Sequence, residues 1–249
     1  MRKFFVIVTF VAVLAGPALP DSPPKSAEFV FARLACSNRA SWMYWGPPDY
    51  GPDNPPWHHD YPASDEFLVA LLRELTGVPV TPDSYKIVRL DSQDIFKYPF
   101  LYLSEPGFLA LNDKEIANLG EYIRRGGFIM ADDFRQAGYL AGGPEELDVL
   151  RYYLKRAVPE RELVPLDISH PIFHSFYDID TLNMKAPYGD FVPQFWGMSD
   201  EHGRLQLIAN YNNDIGDFWK YLDWGDKPLK DSSRAIRLGI NYIFYAMTH

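Results

Sequence analysis

One short apolar segment, with two glycines before it and two carboxylates after it, constrains the fold more than any other part of the sequence. Residues 126–134 read Gly-Gly-Phe-Ile-Met-Ala-Asp-Asp-Phe. The continuous apolar run at residues 128–131 is typical of a strand that is covered on both faces. Before it, Asn112 and Glu115 form a capping-box pattern that predicts a helix ending at Gly126. A helix joined directly to a buried strand predicts an α/β fold with a mainly parallel sheet.

The same alternation of helix and strand continues on both sides of this segment. Apolar runs predict further strands at residues 28–36, 87–90, 100–103, 163–166 and 204–209. Apolar stripes at helical spacing predict helices from Pro62 to Gly77, from residues 142–146 to Ala157, and from Asp231 or Ser232 toward the end of the chain. No element is predicted between residues 181 and 201. The order of elements predicts a doubly wound sheet.

Composition and charge favour one globular domain and exclude nucleic acid as the main partner. The 249 residues are enough for one large α/β domain, which is predicted over residues 21–249. Hydrophobic residues make up 47% and charged residues 23%, which is typical of a folded chain rather than a disordered one. The formal net charge of −9 is repelled by the phosphate backbone of nucleic acids.

The amino terminus has the layout of a signal peptide. Arg2 and Lys3 precede an apolar run at residues 4–15, and small and polar residues follow at positions 16–24. The run is shorter than the roughly 20 residues that span a bilayer. The sequence therefore predicts a cleaved signal peptide over residues 1–20 and a periplasmic or secreted protein. An uncleaved membrane anchor is the alternative.

A loop rich in proline, glycine and aromatic residues is predicted at residues 37–61. A loop of this length within a compact domain is typical of a lid or a binding loop. Trp42 and Trp45 are candidate ligand-binding residues because aromatic rings stack on sugar rings and peptides. Such residues also pack against their own domain, and both interpretations are open at this point.

Polar and charged residues follow several of the predicted strands. The carboxyl ends of parallel strands share one edge of the sheet, and ligands bind at that edge in open α/β folds. The candidate ligand-binding residues at this edge are Arg33, Asp132, Asp133, Asn210, Asn212 and Asp214. The asparagines can bind a polar ligand or cap the end of their strand.

Asp132 and Asp133 have two interpretations. Two carboxylates at a strand end can act as acid and base, provide a nucleophile or bind a divalent cation. Alternatively, one caps the following turn and the other pairs with Arg33. His174 is the candidate histidine for catalysis; His170 stands four residues before it, but Pro171 disfavours helical geometry at His170, so that the two rings need not share a face. No metal site or cofactor is assigned, and a divalent cation is the alternative.

Motifs of the common enzyme classes are absent from the sequence. It contains no G-x-S-x-G, H-E-x-x-H, Walker or G-x-G-x-x-G pattern. The asparagine-rich block that begins at Asn210 lacks the glycine and the closing glutamate of a calcium loop. Cys36 is the only cysteine; it is typical of a small buried hydrophobic residue and cannot form an intramolecular disulfide.

Four blocks of the sequence resemble a known family. GGFIMADDF, HPIFHSFYDID, ANYNNDIGDFW and RLGINYIFYAMTH are similar to a bacterial envelope family catalogued as domain of unknown function 4159. The resemblance covers residues 28–249 and implies a flavodoxin-like sheet of the class I glutamine amidotransferase-like superfamily. In that superfamily a cysteine nucleophile follows a strand, where Asp132 or Asp133 stands in this chain. The resemblance also implies envelope partners such as MoxR-type ATPases and von Willebrand A-domain proteins.

These observations favour an exported α/β protein that binds at the carboxyl edge of its sheet, without glutaminase activity. Its partner is a polar ligand, such as a small molecule or a glycan, or another envelope protein. Two alternatives are open: a hydrolase that uses Asp132 or Asp133, with or without a divalent cation, and a structural subunit of an envelope complex. The direction of the two aspartates, toward a cleft or toward Arg33, distinguishes these functions.

Overall fold

The computed structural model describes residues 28–39, 54–136 and 145–249. The predicted signal peptide and the candidate residues Trp42 and Trp45 lie outside these segments. Within the segments, no helix is both long and apolar enough to cross a membrane.

Seven strands of the described residues form one sheet. Their bounds are Phe31–Ala35 (β1), Tyr85–Arg89 (β2), Phe100–Ser104 (β3), Phe128–Phe134 (β4), Val164–Pro165 (β5), Gln194–Ser199 (β6) and Leu205–Tyr211 (β7). The order across the sheet is β2-β1-β3-β4-β7-β6-β5. The first five strands in this order are parallel, whereas β6 runs antiparallel to β7, and β5 antiparallel to β6. The prediction of an α/β fold with a mainly parallel sheet is confirmed.

Helices cover both faces of the sheet. Their bounds are Ala63–Leu75 (α1), Asp113–Arg124 (α2), Glu146–Ala157 (α3), Ile215–Lys220 (α4) and Leu229–Thr248 (α5). The core on one face includes Ile123 of α2 and Leu150 of α3. The core on the other face includes Leu68 of α1, Phe218 of α4 and Ile243 of α5. Because both faces are covered, the central parallel strands β1, β3, β4 and β7 are buried along their whole length.

The joint between α2 and β4 has the predicted geometry. The Glu115 backbone N–H donates to the Asn112 side chain (3.0 Å), and the Asn112 N–H donates to the Glu115 side chain (2.9 Å), which completes the capping box. Gly126 follows the helix with a φ of 91°. A Cβ at this position would lie 2.3 Å from Nη2 of Arg204. Glycine is therefore required where the helix ends and β4 begins.

Two elements fall where the sequence predicts none. β6 lies in the region of residues 181–201. It has only six residues and includes Gly197, which has a low strand propensity. Its pairing along β7 therefore stabilises it more than its own sequence does. α4 also has six residues, too few for a helical periodicity to be visible. In addition, α5 begins at Leu229, ahead of its predicted start.

Candidate functional site

A polar cleft of about 420 Å³ opens at the carboxyl ends of β4 and β7, and we call it the acidic cleft. Side chains from the loop before α1, from the end of β4, from the segment before β6 and from the region of α4 line it. The lining residues are His59, Asp133, Arg135, Tyr188, Asp214, Asp217, Tyr221, Trp224, Asp226 and Lys227. The cleft lies at the edge of the sheet where the sequence predicts a ligand-binding site.

Asp133 reaches the acidic cleft because β4 changes its backbone conformation near its carboxyl end. The register between β4 and β7 shifts between Ala131 and Phe134, and Asp133 has a left-handed φ of 59°. This conformation is uncommon for a residue other than glycine and costs of order 1–3 kcal/mol. Asp133 is 2% exposed, and its Oδ2 lies 2.6 Å from Nδ1 of His59. A strained residue at the rim of a cleft is typical of a functional site.

The neighbouring Asp132 points into the protein instead. Its Oδ1 accepts a hydrogen bond from Nδ2 of Asn210 (3.0 Å). Its Oδ2 accepts hydrogen bonds from the Gly216 N–H (2.9 Å) and from the Tyr102 hydroxyl (3.2 Å). Burial raises the pKa of Asp132, and the charge of Asp133 raises it further. The hydrogen bonds to its carboxylate lower the pKa, and the net result is a pKa of about 7. Asp132 thus connects β4 to β7, α4 and β3.

His59 is the histidine of the acidic cleft. Besides Asp133, two further carboxylates approach its ring: Oδ1 of Asp60 is 3.5 Å from Nε2, and Oε1 of Glu105 is 3.6 Å from Nδ1. Burial opposes protonation of the ring, but the hydrogen bond and the charge of Asp133, with the charge of Asp60, outweigh it and raise the pKa to about 9. His59 is therefore an imidazolium at neutral pH and offers a proton to the cleft.

Two more carboxylates reach the cleft from the start of α4. Asp214 is the N-cap of this helix, and its Oδ1 accepts a hydrogen bond from the Asp217 N–H (2.8 Å). Burial raises the pKa of Asp214 well above its ordinary value, and the charges of Asp133, Asp217 and Asp60 contribute. Burial and the charge of Asp60 raise the pKa of Asp217 to about 6, while Lys227, 3.5 Å away, lowers it. The cleft therefore retains protons near neutral pH.

Among the described residues, two sets of side chains bring possible metal-ligand atoms together. One atom each from His59, Asp133 and Asp214 lie within 4.8 Å of one another, and the same holds for Asp60, Asp214 and Asp217. Asp214 belongs to both sets. Imidazole with carboxylates suits zinc or manganese, whereas carboxylates alone suit magnesium or calcium.

Arg33 is fully buried beside the site and pairs with Asp65. The interpretation in which it pairs with Asp132 or Asp133 is therefore wrong. Its Nε donates to both carboxylate oxygens of Asp65 (3.1 Å each), and its Nη1 donates to the carbonyl oxygen of His59 (2.8 Å). Arg33 thus connects β1 to α1 and fixes the loop that carries His59.

Comparison with known families identifies the chain at the level of the family. A family model described as "Domain of unknown function (DUF4159)" matches residues 49–247. The chain belongs to this family. The match includes every residue that lines the acidic cleft, and it confirms the family resemblance of the sequence blocks. None of the curated proteins compared with the chain matches it.

In this member of the DUF4159 family, the predicted asparagines hold the strand ends. Asn210 donates to Asp132 and accepts a hydrogen bond from the Tyr242 hydroxyl (3.0 Å). Asn212 accepts a hydrogen bond from the Gln136 N–H (2.8 Å). Neither asparagine lines the cleft. Both side chains are therefore hydrogen-bonded to other residues of the chain.

His174 lies in a 3-10 turn at Pro171–His174. Its Nδ1 contacts Asp178, and its Nε2 lies 2.7 Å from the carbonyl oxygen of Ile168. It is not among the residues that line the acidic cleft of this DUF4159 protein. The turn agrees with the expectation that Pro171 disfavours an α-helix.

His59 and Asp60 are not among the candidate residues predicted from the sequence. Both belong to the predicted loop at residues 37–61, and no local pattern indicates which strand ends a loop residue will face. The available signal is chemical: adjacent imidazole and carboxylate groups stand in a loop that is predicted to bind a ligand. In this DUF4159 chain, His59 lies close to Asp133 and Asp214, and Asp60 lies close to Asp214 and Asp217.

Proposed function

We propose that the chain binds a small polar ligand with a positively charged group in the acidic cleft. The observation that carries this proposal is the position of Asp133. Its carboxylate is buried, lines the cleft, and is held by a left-handed backbone at the end of β4. Strain and buried charge at one residue are expected at functional sites, where binding compensates for their cost.

The charge around the cleft favours a cationic ligand. The carboxylates in its lining are those of Asp133, Asp214, Asp217 and Asp226, and the basic lining residues are His59, Arg135 and Lys227. Behind His59, the carboxylates of Asp60 and Glu105 add to the negative charge, while Lys220 pairs with Asp60 (2.6 Å). Buried carboxylates that repel one another are stabilised when a cation replaces their protons.

Aromatic rings provide a second contact for a cation. Tyr221 and Trp224 line the cleft with their ring centroids 4.8 Å apart. Lys227 and Lys220 already place their ammonium groups 5.3 and 4.6 Å from the Tyr221 ring. Ammonium groups at such distances are attracted by the face of an aromatic ring. An amine or a guanidinium group is therefore the ligand chemistry that suits this site.

The strand order supports the flavodoxin-like, amidotransferase-like arrangement that the family resemblance implies. In chain order, the parallel strands are arranged second, first, third, fourth and fifth across the sheet, as in flavodoxin-like folds. Asp133 stands at the end of β4, where the resemblance expects a cysteine nucleophile. Cys36 is buried, and burial raises the pKa of its thiol, so that it is a poor nucleophile. The proposal is therefore binding without glutaminase activity.

Titration calorimetry with a diamine such as putrescine tests the proposal. Asp133→Asn should weaken binding at least about tenfold, because a charged hydrogen-bond partner is lost. Asp148→Asn is the matched control, since Asp148 is an exposed aspartate of α3 and the variant has the same change of charge. Equal affinity of the two variants, or no binding by the unchanged protein, would contradict the proposal.

The clustered ligand atoms favour a second candidate function, hydrolysis assisted by a divalent cation. Asp60, Asp214 and Asp217 would hold the cation, which would activate a water molecule when bound. His59, protonated at neutral pH, would donate a proton to the leaving group, and Asp133 would orient its ring.

Metal analysis and activity assays distinguish this candidate from simple binding. The protein would be tested with Mg²⁺, Mn²⁺ or Zn²⁺ against ester, phosphate and glycan substrates. Hydrolysis should require the metal and should be lost in Asp217→Asn but not in Asp148→Asn. Absence of metal binding by the unchanged protein would exclude this function and leave the binding proposal intact.

A further inference from the structure

A second pocket, separate from the acidic cleft, lies against the first three turns of α5 and has a volume of about 220 Å³. We call it the basic pocket. Its lining residues are Ile179, Asp180, Lys230, Ser233, Arg234 and Arg237. Three cations and one carboxylate thus face the same space, in a chain whose formal net charge is −9.

The three cations are arranged unfavourably for an isolated helix. Lys230, Arg234 and Arg237 are spaced four and three residues apart, which places them on one face of α5. Like charges at this spacing repel each other. Lys230 also lies in the first turn of the helix, where the helix dipole favours anions, and the N-cap residue Pro228 provides no side-chain hydrogen bond. An anion in the pocket would reduce both the repulsion between the cations and the unfavourable interaction of a cation with the helix dipole.

Arg234 is the residue that points most directly to a ligand. It is only 9% exposed, yet it lines the basic pocket. Its Nη1 donates to the carbonyl oxygen of Asn183, and its Nη2 is 3.9 Å from Asp180, which is beyond hydrogen-bond distance. Within the described segments, this guanidinium makes no other hydrogen bond. Its remaining donors are not among the buried side-chain atoms that lack a partner, so that they reach the open space of the pocket, where the acceptors of a ligand can approach them.

The acidic residue nearest in sequence to these cations is directed elsewhere. Asp231 is buried, and its Oδ1 accepts a hydrogen bond from the Lys185 N–H (3.2 Å). Asp180, which does line the pocket, has a side chain that is 89% exposed. Among the described residues, neither carboxylate forms an ion pair with Lys230 or Arg237. The positive charge of the pocket is therefore only partly compensated.

We propose that the basic pocket binds a tetrahedral oxyanion, such as a phosphate or sulfate group. The planar guanidinium of Arg234 suits bidentate bonding to two oxygens of such a group. Lys230 and Arg237 supply charge at the open side, and the Ser233 hydroxyl supplies a further donor. The pocket volume accommodates one such group with part of a larger molecule attached.

Titration with inorganic phosphate at low ionic strength tests the proposal. The double variant Lys230→Gln/Arg237→Gln should bind phosphate at least about tenfold more weakly, because two exposed charges that face the anion are removed. The control Arg73→Gln/Lys114→Gln has the same change of charge at exposed positions of α1 and α2 and should bind as the unchanged protein does. Equal weakening in both double variants would overturn the proposal.

Stability without phosphate provides an independent measurement. The Lys230→Gln/Arg237→Gln variant should have a higher melting temperature than the unchanged protein in phosphate-free buffer, because repulsion along α5 is relieved. Phosphate should then raise the melting temperature of the unchanged protein more than that of the variant. A variant that melts lower in phosphate-free buffer and responds equally to phosphate would contradict the proposal.

Vesicles distinguish a lipid headgroup from a soluble anion. Sedimentation with phosphatidylglycerol vesicles, but not with phosphatidylcholine vesicles, and its loss in the Lys230→Gln/Arg237→Gln variant would identify the anion as a headgroup. Binding of inorganic phosphate without sedimentation would identify a soluble anion. Absence of both kinds of binding would refute the site.

Discussion

Adjacent residues of identical chemistry have different roles at the end of β4. Asp132 accepts hydrogen bonds from the surrounding strands and from α4, whereas Asp133 turns to the cleft and contacts His59. The difference arises from the left-handed backbone at Asp133. Replacing each aspartate by asparagine, which changes charge but little else, can therefore separate the contribution of Asp132 to stability from that of Asp133 to ligand binding.

We expect Asp132→Asn to lower the free energy of unfolding by about 2–3 kcal/mol, because its NH₂ group would face the donors of Gly216 or Asn210. Asp133→Asn should lower it less, since asparagine tolerates a left-handed φ, although the charge that raises the pKa of His59 is lost. Urea unfolding of both variants at one pH measures the difference. Equal losses of stability would show that the two aspartates do not differ in this way.

His59 should make stability depend on pH above neutrality. Its pKa is raised from 6.5 to about 9, so that the folded state binds the proton more tightly than the unfolded state. The resulting stabilisation is complete below about pH 6.5 and is lost as the pH rises through 9. The melting temperature of the unchanged protein should therefore fall more steeply over this range than that of His59→Gln. Parallel curves would contradict the assignment.

At the scale of elements, α4 is a short helix that depends on its neighbours. It has six residues, too few to be stable alone, and it follows Asp214 and carries Asp217 at the cleft. The bond from Gly216 to Asp132 attaches its first turn to β4. Its Trp219 packs so closely on α5 that a Cβ at Gly239 would lie 2.3 Å from the indole ring. The helix is therefore positioned by packing and by one buried carboxylate.

Two substitutions at Asp214 should separate helix capping from charge. Asp214→Asn keeps an acceptor for the Asp217 N–H, whereas Asp214→Ala removes it, so that the alanine variant should be less stable by about 1 kcal/mol. The pKa of Asp214 is raised in the folded protein, so that the folded state binds this proton more tightly than the unfolded state does. Protonated Asp214 therefore stabilises the fold at acidic pH, and this stabilisation is lost as the pH rises above 3.8, the ordinary pKa of an aspartate. Asp214→Asn should therefore be more stable than the unchanged protein at pH 7. Denaturant unfolding at pH 4 and pH 7 measures this gain, which should be smaller at pH 4.

At the scale of the whole molecule, the buried pair of Arg33 and Asp65 connects a central strand, a helix and the loop that carries His59. Arg33→Met leaves Asp65 buried without its partner and should lower the free energy of unfolding by about 3–5 kcal/mol. Adding Asp65→Leu should restore part of this loss, because the unpaired charge is then removed. A double variant as unstable as the sum of the single variants would show that the pair is not coupled.

The sheet and one side of the site could be predicted from the sequence because their signals are local. The apolar run of β4, the capping box of α2 and the position of Asp133 at a strand end all follow from neighbouring residues. The inward direction of Asp132, by contrast, depends on donors from β3, β7 and α4. The place of His59 depends on the bond from Arg33 to its carbonyl oxygen, which joins distant parts of the chain.

The two outer strands of the sheet have a consequence for self-association. β5 consists of two residues, and Pro165 has no N–H to offer to another strand. At the opposite edge, β2 presents the exposed side chains of Lys86 and Arg89. Short edges, proline and exposed basic residues are the features that hinder edge-to-edge polymerisation and amyloid-like growth. A protein partner is therefore expected to dock on helices and loops rather than to extend the sheet.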